Sequence, residues 1–234
     1  MLYTDNELLE QRNEIKGILY NIHNYILNMY KSNNCDYVYV DKDVEGLDYT
    51  RMCFGNIFFE LYNVKYLTEV GFGSFAFKKD TDETNYQISF AILDDSIDLN
   101  DKKQILKLYL KVLEDHYSAV FHELVHYKDA ESGYIMADMT SNNKNKTDYI
   151  NNKMEYHAYL QELLLLAEDD MALNNWNKMN MLQRLNLKNK YIENREKERK
   201  DKNDIYIYYF TKEHYDEMIE HVENLFAKHM LDKN

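Results

Sequence analysis

The chain has 234 residues, with 41 acidic against 28 basic and a formal net charge of −13. Hydrophobic residues make up 45% and charged residues 29%, the balance of a globular protein rather than a disordered or fibrous one. The acidic excess argues against long-range attraction to nucleic acid or to an anionic membrane, so neither is expected as a partner.

Residues 5–31 place Leu8, Leu9, Ile15, Ile18, Leu19, Ile22, Tyr25, Ile26 and Met29 at three- and four-residue steps, which predicts an amphipathic helix. Residues 37–40, 57–62, 74–77 and 86–92 are rich in β-branched and aromatic residues, and Gly46, Gly55, Gly71 and Gly73 punctuate the region. That pattern predicts strands of a small antiparallel or mixed sheet. After an acidic link at 94–101, residues 102–130 read as one long helix or as two with a break near Asp115. Residues 139–147 read as a loop, 148–170 as a helix and 171–202 as helix with a highly charged end. A short strand is expected at 205–210 and a last amphipathic helix at 212–231. Lys188 to Lys202 interleaves basic residues with Glu193, Glu196, Glu198 and Asp201, the pattern of a solvated helix face.

Proline is absent and glycine numbers only 6, while tyrosine numbers 22. An A+T-rich coding sequence accounts for all three, since Tyr, Asn, Lys and Ile use A+T-rich codons and Pro and Gly do not. The longest apolar run, residues 163–167, is far too short to span a bilayer. The first residues lack the basic head and apolar stretch of a signal peptide. With only Cys35 and Cys53, no disulfide framework is implied, and a cytoplasmic setting fits.

His122-Glu123-Leu124-Val125-His126 falls inside a predicted helix. Positions four apart share a helix face, so both imidazoles can reach one metal ion. Glu123 lies one residue along, where its carboxylate can stand beside the metal's open position. Zn²⁺ lowers the pKa of a bound water toward ~7, and a carboxylate can take its proton. A catalytic zinc site normally has three protein ligands. A six-residue extension of the motif does not supply the third, because positions 129 and 132 are Asp129 and Ser132. Glu155, in the first turn of the next long helix with the small Ala158 three residues on, is the leading third ligand. His157 and Glu162 are its rivals.

The stretch from Ala119 to Tyr127 resembles the active-site helix of zincin metallopeptidases. With Glu155 and Ala158 downstream it resembles the gluzincin branch, and it is similar to uncharacterised phage and prophage proteins carrying the same motif. The likeness covers residues 85–170. It implies an α+β zincin-like fold: an N-terminal helix and small sheet, then the His-Glu-x-x-His helix and further C-terminal helices. One domain over 1–234 is expected, with helix plus sheet at 1–100, metal-binding helices at 101–170 and a helical addition at 171–234. It further implies a Zn²⁺ cofactor, peptide-bond hydrolysis with Glu123 as general base, and a protein or peptide substrate. That substrate would lie along an edge strand, for which 86–92 is the natural place, with Ser89, Phe90 and Ala91 as contacts.

Two positions depart from the family pattern. Lys128 stands where an apolar residue is favoured. Tyr159 stands where many gluzincins place an Asp that orients a zinc-bound His, so that role would pass to Asp129, Glu162 or Asp170. An oxyanion partner is also implied, from among Tyr156, Tyr209, His214 and His221. A phage origin would allow a virion-associated location. The reading from another class is a non-catalytic structural or interaction protein that retains the zincin scaffold. His214 and His221, seven apart on the last helix, read as surface or core-edge residues.

Overall fold

A computed structural model describes residues 4–42, 48–63, 74–80, 83–92, 98, 100–132, 146–201 and 205–231. The chain is α+β, with eight α-helices and one five-stranded mixed sheet among the described residues. It divides into two compact units, Glu14–Lys128 and a second formed by Met1–Asn13 with Asp129–Asn234.

The first unit holds most of α1 (Asp5–Ser32), the strands β1 (Tyr39–Lys42), β2 (Asp48–Phe54), β3 (Ile57–Asn63), β4 (Ser74–Asp80) and β5 (Glu83–Ile92), then α2 (Lys102–Asp115) and most of α3 (Tyr117–Glu131). Strand order is β1-β2-β3-β5-β4, with β3 and β5 parallel and every other pair antiparallel. The period-2 rule puts Thr50, Met52, Ile57, Phe59, Leu61, Tyr86, Ile88 and Phe90 on one face, and all eight are buried. Three helices cover that face. Tyr25 of α1 meets Phe54 edge to face at 5.5 Å. From α2, the buried Tyr109 donates its hydroxyl to the Phe59 carbonyl at 3.1 Å and lies 3.1 Å from Thr50 Oγ1. Burial drives that hydroxyl's pKa far above its ordinary value. From α3, Tyr127 meets Tyr86 edge to face at 4.9 Å. The opposite face is polar: Glu60, fully buried, gathers Arg51, Tyr62 and Gln87.

Four of the five strands match sequence expectations. β2 was not anticipated, although its Thr50/Met52 alternation and the Gly55-Asn56 turn are local signals. Phe54 pairs with Ile57 across a two-residue loop, and Gly55 opens it at φ 63°. Gly in the first central position is the arrangement of a type II′ hairpin turn, which matches strand twist.

The break expected near Asp115 falls at His116, the C-cap of α2. The loop expected at 139–147 lies outside the described residues up to position 145, and α4 (Lys146–Ile150) begins at 146.

The second unit is helical: the first two turns of α1, the end of α3, α4, α5 (Lys153–Leu173), α6 (Met181–Asp201), α7 (Ile205–Tyr209) and α8 (Lys212–Leu231), with a 3₁₀ turn at Trp176–Lys178. α5 is its axis. Leu8, Tyr191, Ile207, Phe210, Met218, Val222 and Phe226 pack with Leu160, Leu164 and Ala167 of α5 in one core. The strand expected at 205–210 is instead helix α7. Its Ile-Tyr-Ile-Tyr-Tyr alternation favours a strand, but strand propensity needs a sheet partner, and every described strand lies in 39–92. Asn151 accepts from Thr211 N at 2.8 Å and donates to the Tyr209 carbonyl at 2.7 Å, which satisfies the backbone on both sides of the α7–α8 turn.

Two glycines test these local readings. Gly17 is exposed within α1 with open space around it, so Gly17→Ala should raise unfolding free energy by about 0.5–1 kcal/mol. Gly55→Ala forces a side chain into the left-handed region and should lower it by about 1–2 kcal/mol. Urea unfolding followed by circular dichroism measures both; equal effects would overturn the turn assignment.

Candidate metal centre

α3 is an interior helix. Residues 120–127 are buried without interruption, whereas a solvated helix would leave one face exposed. His122 and His126 stand one turn apart, and their rings meet edge to face with centroids 4.9 Å apart. His122, Glu123 and His126 are only 7, 8 and 4% exposed.

Asn152 determines where α5 opens. Its backbone is extended and its Oδ1 accepts from Met154 N at 3.1 Å and Glu155 N at 3.0 Å. This N-cap satisfies two of the helix's orphan donors and puts Glu155, buried at 9% exposure, in the first turn. His122, His126 and Glu155 each offer a ligand atom, and these atoms all lie within 4.8 Å of one another. Metal–ligand bonds of about 2 Å hold tetrahedral donors roughly 3–3.5 Å apart, so small side-chain rotations suffice. Two imidazoles and a carboxylate, all buried, form a donor set that can hold a metal ion.

The rival ligands stand elsewhere. His157 is 1% exposed, and its Nδ1 lies 2.7 Å from Asp129 Oδ2. Glu162 is half-buried two turns along α5 from Glu155 and outside the donor group. Among the acids expected to orient a ligand His, Asp129 is instead engaged with His157 and with Gln11 Nε2 at 2.9 Å. Asp170 is on α5 some 22 Å along the helix axis from Glu155, too far to orient a His that Glu155 also reaches.

The expected oxyanion partners separate into two places. Tyr156 is fully buried, stacks on His214 at 3.9 Å and donates its hydroxyl to the His214 carbonyl at 3.2 Å. Burial pushes the Tyr156 hydroxyl's pKa far up. His214 is half-buried, with Nδ1 2.9 Å from Asn151 Oδ1. Tyr209 is half-buried on α7. His221, expected near the surface, is 1% exposed and pairs its Nδ1 with Asp5 Oδ1 at 2.6 Å. A buried His needs such a partner, and the first turn of α1 supplies it.

The placement of Ser89, Phe90 and Ala91 on an edge strand is corrected. β5 is interior, paired with β3 over 86–92 and with β4 over 83–89. Ser89 pairs with Glu60 on one side and Ser74 on the other, Phe90 and Ala91 pair with Leu61 and Tyr62, and the Phe90 ring packs on Phe59 at 5.6 Å. Over 86–89 the strand is flanked on both sides and has no free ladder to offer an extended peptide, while Phe90 and Ala91 lie past the last β4 pair, at Ser74–Ser89. Gln11, Arg12 and Gln161 were not anticipated, yet they form a largely buried hydrogen-bonded chain with Asp129. One signal was legible: Arg12 falls between Leu8 and Ile15 on the apolar stripe of α1.

Comparison with family models, curated proteins and solved structures finds no match to this chain. No helix among the described residues is long and apolar enough to cross a membrane.

Replacing Glu155 by Ala should weaken metal binding by more than the ~10–100-fold that even an outer partner contributes. Competition against a chromophoric chelator reads this, and an unchanged affinity would exclude Glu155 as a ligand. A separate outcome concerns pH. Burial lowers the His214 pKa below 6.5, against the opposing pull of Glu217 and Glu213. The unfolded chain therefore binds more protons below that pH, so the contribution is complete above pH 6.5 and declines as pH falls through the folded value. His214→Phe should flatten the loss of melting temperature between pH 7.5 and 5.5. Parallel curves for the two proteins would refute it.

Proposed function

We propose that this chain is a zinc metallopeptidase of zincin type, gluzincin-like in its ligand set, that hydrolyses peptide bonds with Glu123 as general base. One observation carries the reading: buried donor atoms of His122, His126 and Glu155 gathered within 4.8 Å, with the buried Glu123 next to His122 on the same helix.

Three protein ligands of this kind suit a catalytic zinc with one position left open. When bound, the ion polarises a carbonyl and acidifies a water. The protein's own part is positioning and proton transfer. α3 holds the two imidazoles one turn apart and keeps them in a buried setting, where electrostatic interactions are strong. The Glu123 carboxylate accepts the proton of the attacking water and returns it to the leaving amine nitrogen. A two-His, one-carboxylate set also serves non-haem iron. Glu123, a buried carboxylate beside the donors and outside the ligand group, favours hydrolysis. With β5 paired on both sides over 86–89, β4, its outer neighbour in the sheet order, is the strand left for an extended peptide to pair with along its length.

Glu123→Gln keeps the size of the side chain and removes its basicity. It should keep the metal and lose about 10²–10⁴ in peptide cleavage rate, the usual worth of a general base. Metal analysis and cleavage of an unfolded protein substrate read the two effects. Metal in both proteins with no cleavage by the wild type would replace this reading with a non-catalytic metal-bearing scaffold. No metal in either would end it.

A further inference from the structure

We propose that the buried Asp129–His157 pair is a positioning clasp that determines the roll of α5 and thereby the direction in which Glu155 meets the two histidines. The inference rests on the metal-site reading above.

On α3, His122, His126 and Asp129 follow at i, i+4 and i+7, so the three share one stripe. On α5, successive residues are rotated by about 100°. Met154, Ala158 and Gln161 therefore make one stripe, and Glu155 and His157 stand about 80° to either side of it. Ala158 and Gln161 are fully buried at the centre. The first turn of α5 thus has two arms. One is Glu155, whose carboxylate lies within 4.8 Å of donor atoms of His122 and His126. The other is His157, whose Nδ1 is 2.7 Å from Asp129 Oδ2. A contact on one flank leaves a helix free to turn about its axis. Contacts on both flanks do not.

The clasp is itself held. Asp129 Oδ1 accepts from Gln11 Nε2 at 2.9 Å. Gln11 Oε1 accepts from Gln161 Nε2 at 2.9 Å, and Gln161 Oε1 accepts from Arg12 Nη1 at 3.1 Å. Arg12 then pairs with Glu168 at 2.7 Å. A carboxylate accepts and a guanidinium only donates, so the direction of every link is dictated from both ends and neither amide can flip. Asp129, His157, Gln161 and Arg12 are all buried, at 5, 1, 0 and 1% exposure. A connected hydrogen-bond network in a largely buried setting rigidifies what it joins, and here it joins α1, the end of α3 and α5.

The test is zinc affinity by chelator competition together with the absorption spectrum of the cobalt-loaded protein. Replacing both partners of a buried hydrogen bond with apolar groups of similar shape can be nearly neutral for stability. The double substitution Asp129→Leu with His157→Leu should therefore fold, yet bind zinc about 10–100-fold more weakly than wild type and show an altered cobalt spectrum. His157→Asn can place an amide donor where Nδ1 stands, so it should stay near the wild-type affinity, while His157→Leu falls well below it. That single-site comparison decides the matter should the double variant fail to fold. Wild-type affinity and spectrum in the leucine variants would overturn the clasp and leave the metal site standing. Loss in His157→Asn equal to that in His157→Leu would also overturn it. A wild-type protein that binds no zinc removes both readings.

Discussion

Burial of α5 around nearly its whole circumference is the constraint on which the second unit depends. Thirteen of its residues are buried, eleven of them in a run from 154 to 165 broken only at Glu162. The apolar side of such a helix, Tyr156, Tyr159, Leu160, Leu163, Leu164, Ala167 and Met171, has to be covered. The 3₁₀ turn and α6, α7 and α8 supply that cover through Trp176, Tyr191, Ile207, Phe210 and Phe226. Tyr191 also donates its hydroxyl to the Leu163 carbonyl at 2.9 Å. Burial on this scale leaves little room for polar groups without partners. Gln161, Tyr156 and His157 each have one within the same unit.

The chemistry concentrates at the opening turn of that helix for the same reason. Asn152 caps α5 and fixes Glu155 in the first turn. The dipole favours a carboxylate there in any case, and its burial makes a charged or metal partner far more favourable than solvent. α3 repeats the logic. Its run of buried residues from 120 to 127 places two imidazoles and a carboxylate away from water, and Tyr127 anchors the same helix on the sheet through Tyr86.

Much of the architecture was legible from periodicity. The three- and four-residue steps of α1, α2 and α8, and the alternation in β3 and β5, are local signals that survive into the fold. Two local signals misled. Residues 205–209 alternate like a strand and form a helix, because the helices around them offer hydrophobic cover and no backbone edge. β5 looked like an edge because it directly precedes the helical half of the chain. Strand order is a matter of which segments meet across long loops, and the β-branched residues of β5 pack equally well at the edge or in the interior. Arg12 was hidden for a further reason: a lone charge on an apolar stripe is interpretable only once its partners Gln161 and Glu168, some 150 residues away, are known.

By itself the sequence determined that His122 and His126 share a helix face with Glu123 beside them, since spacing and helical geometry are local properties. It also pointed to a second helix carrying Glu155 near its start, although the division of 148–170 into α4 and an α5 capped by Asn152 came from the structure. Only the tertiary structure decided that Glu155 rather than His157 or Glu162 joins the two histidines, and that His157 turns instead to Asp129. The physical reason is rotation about a helix axis. Sequence assigns each side chain an angle relative to its neighbours, whereas which way each face of the helix turns depends on what surrounds it, here complete burial at Ala158 and Gln161 and hydrogen bonds that reach as far as Gln11.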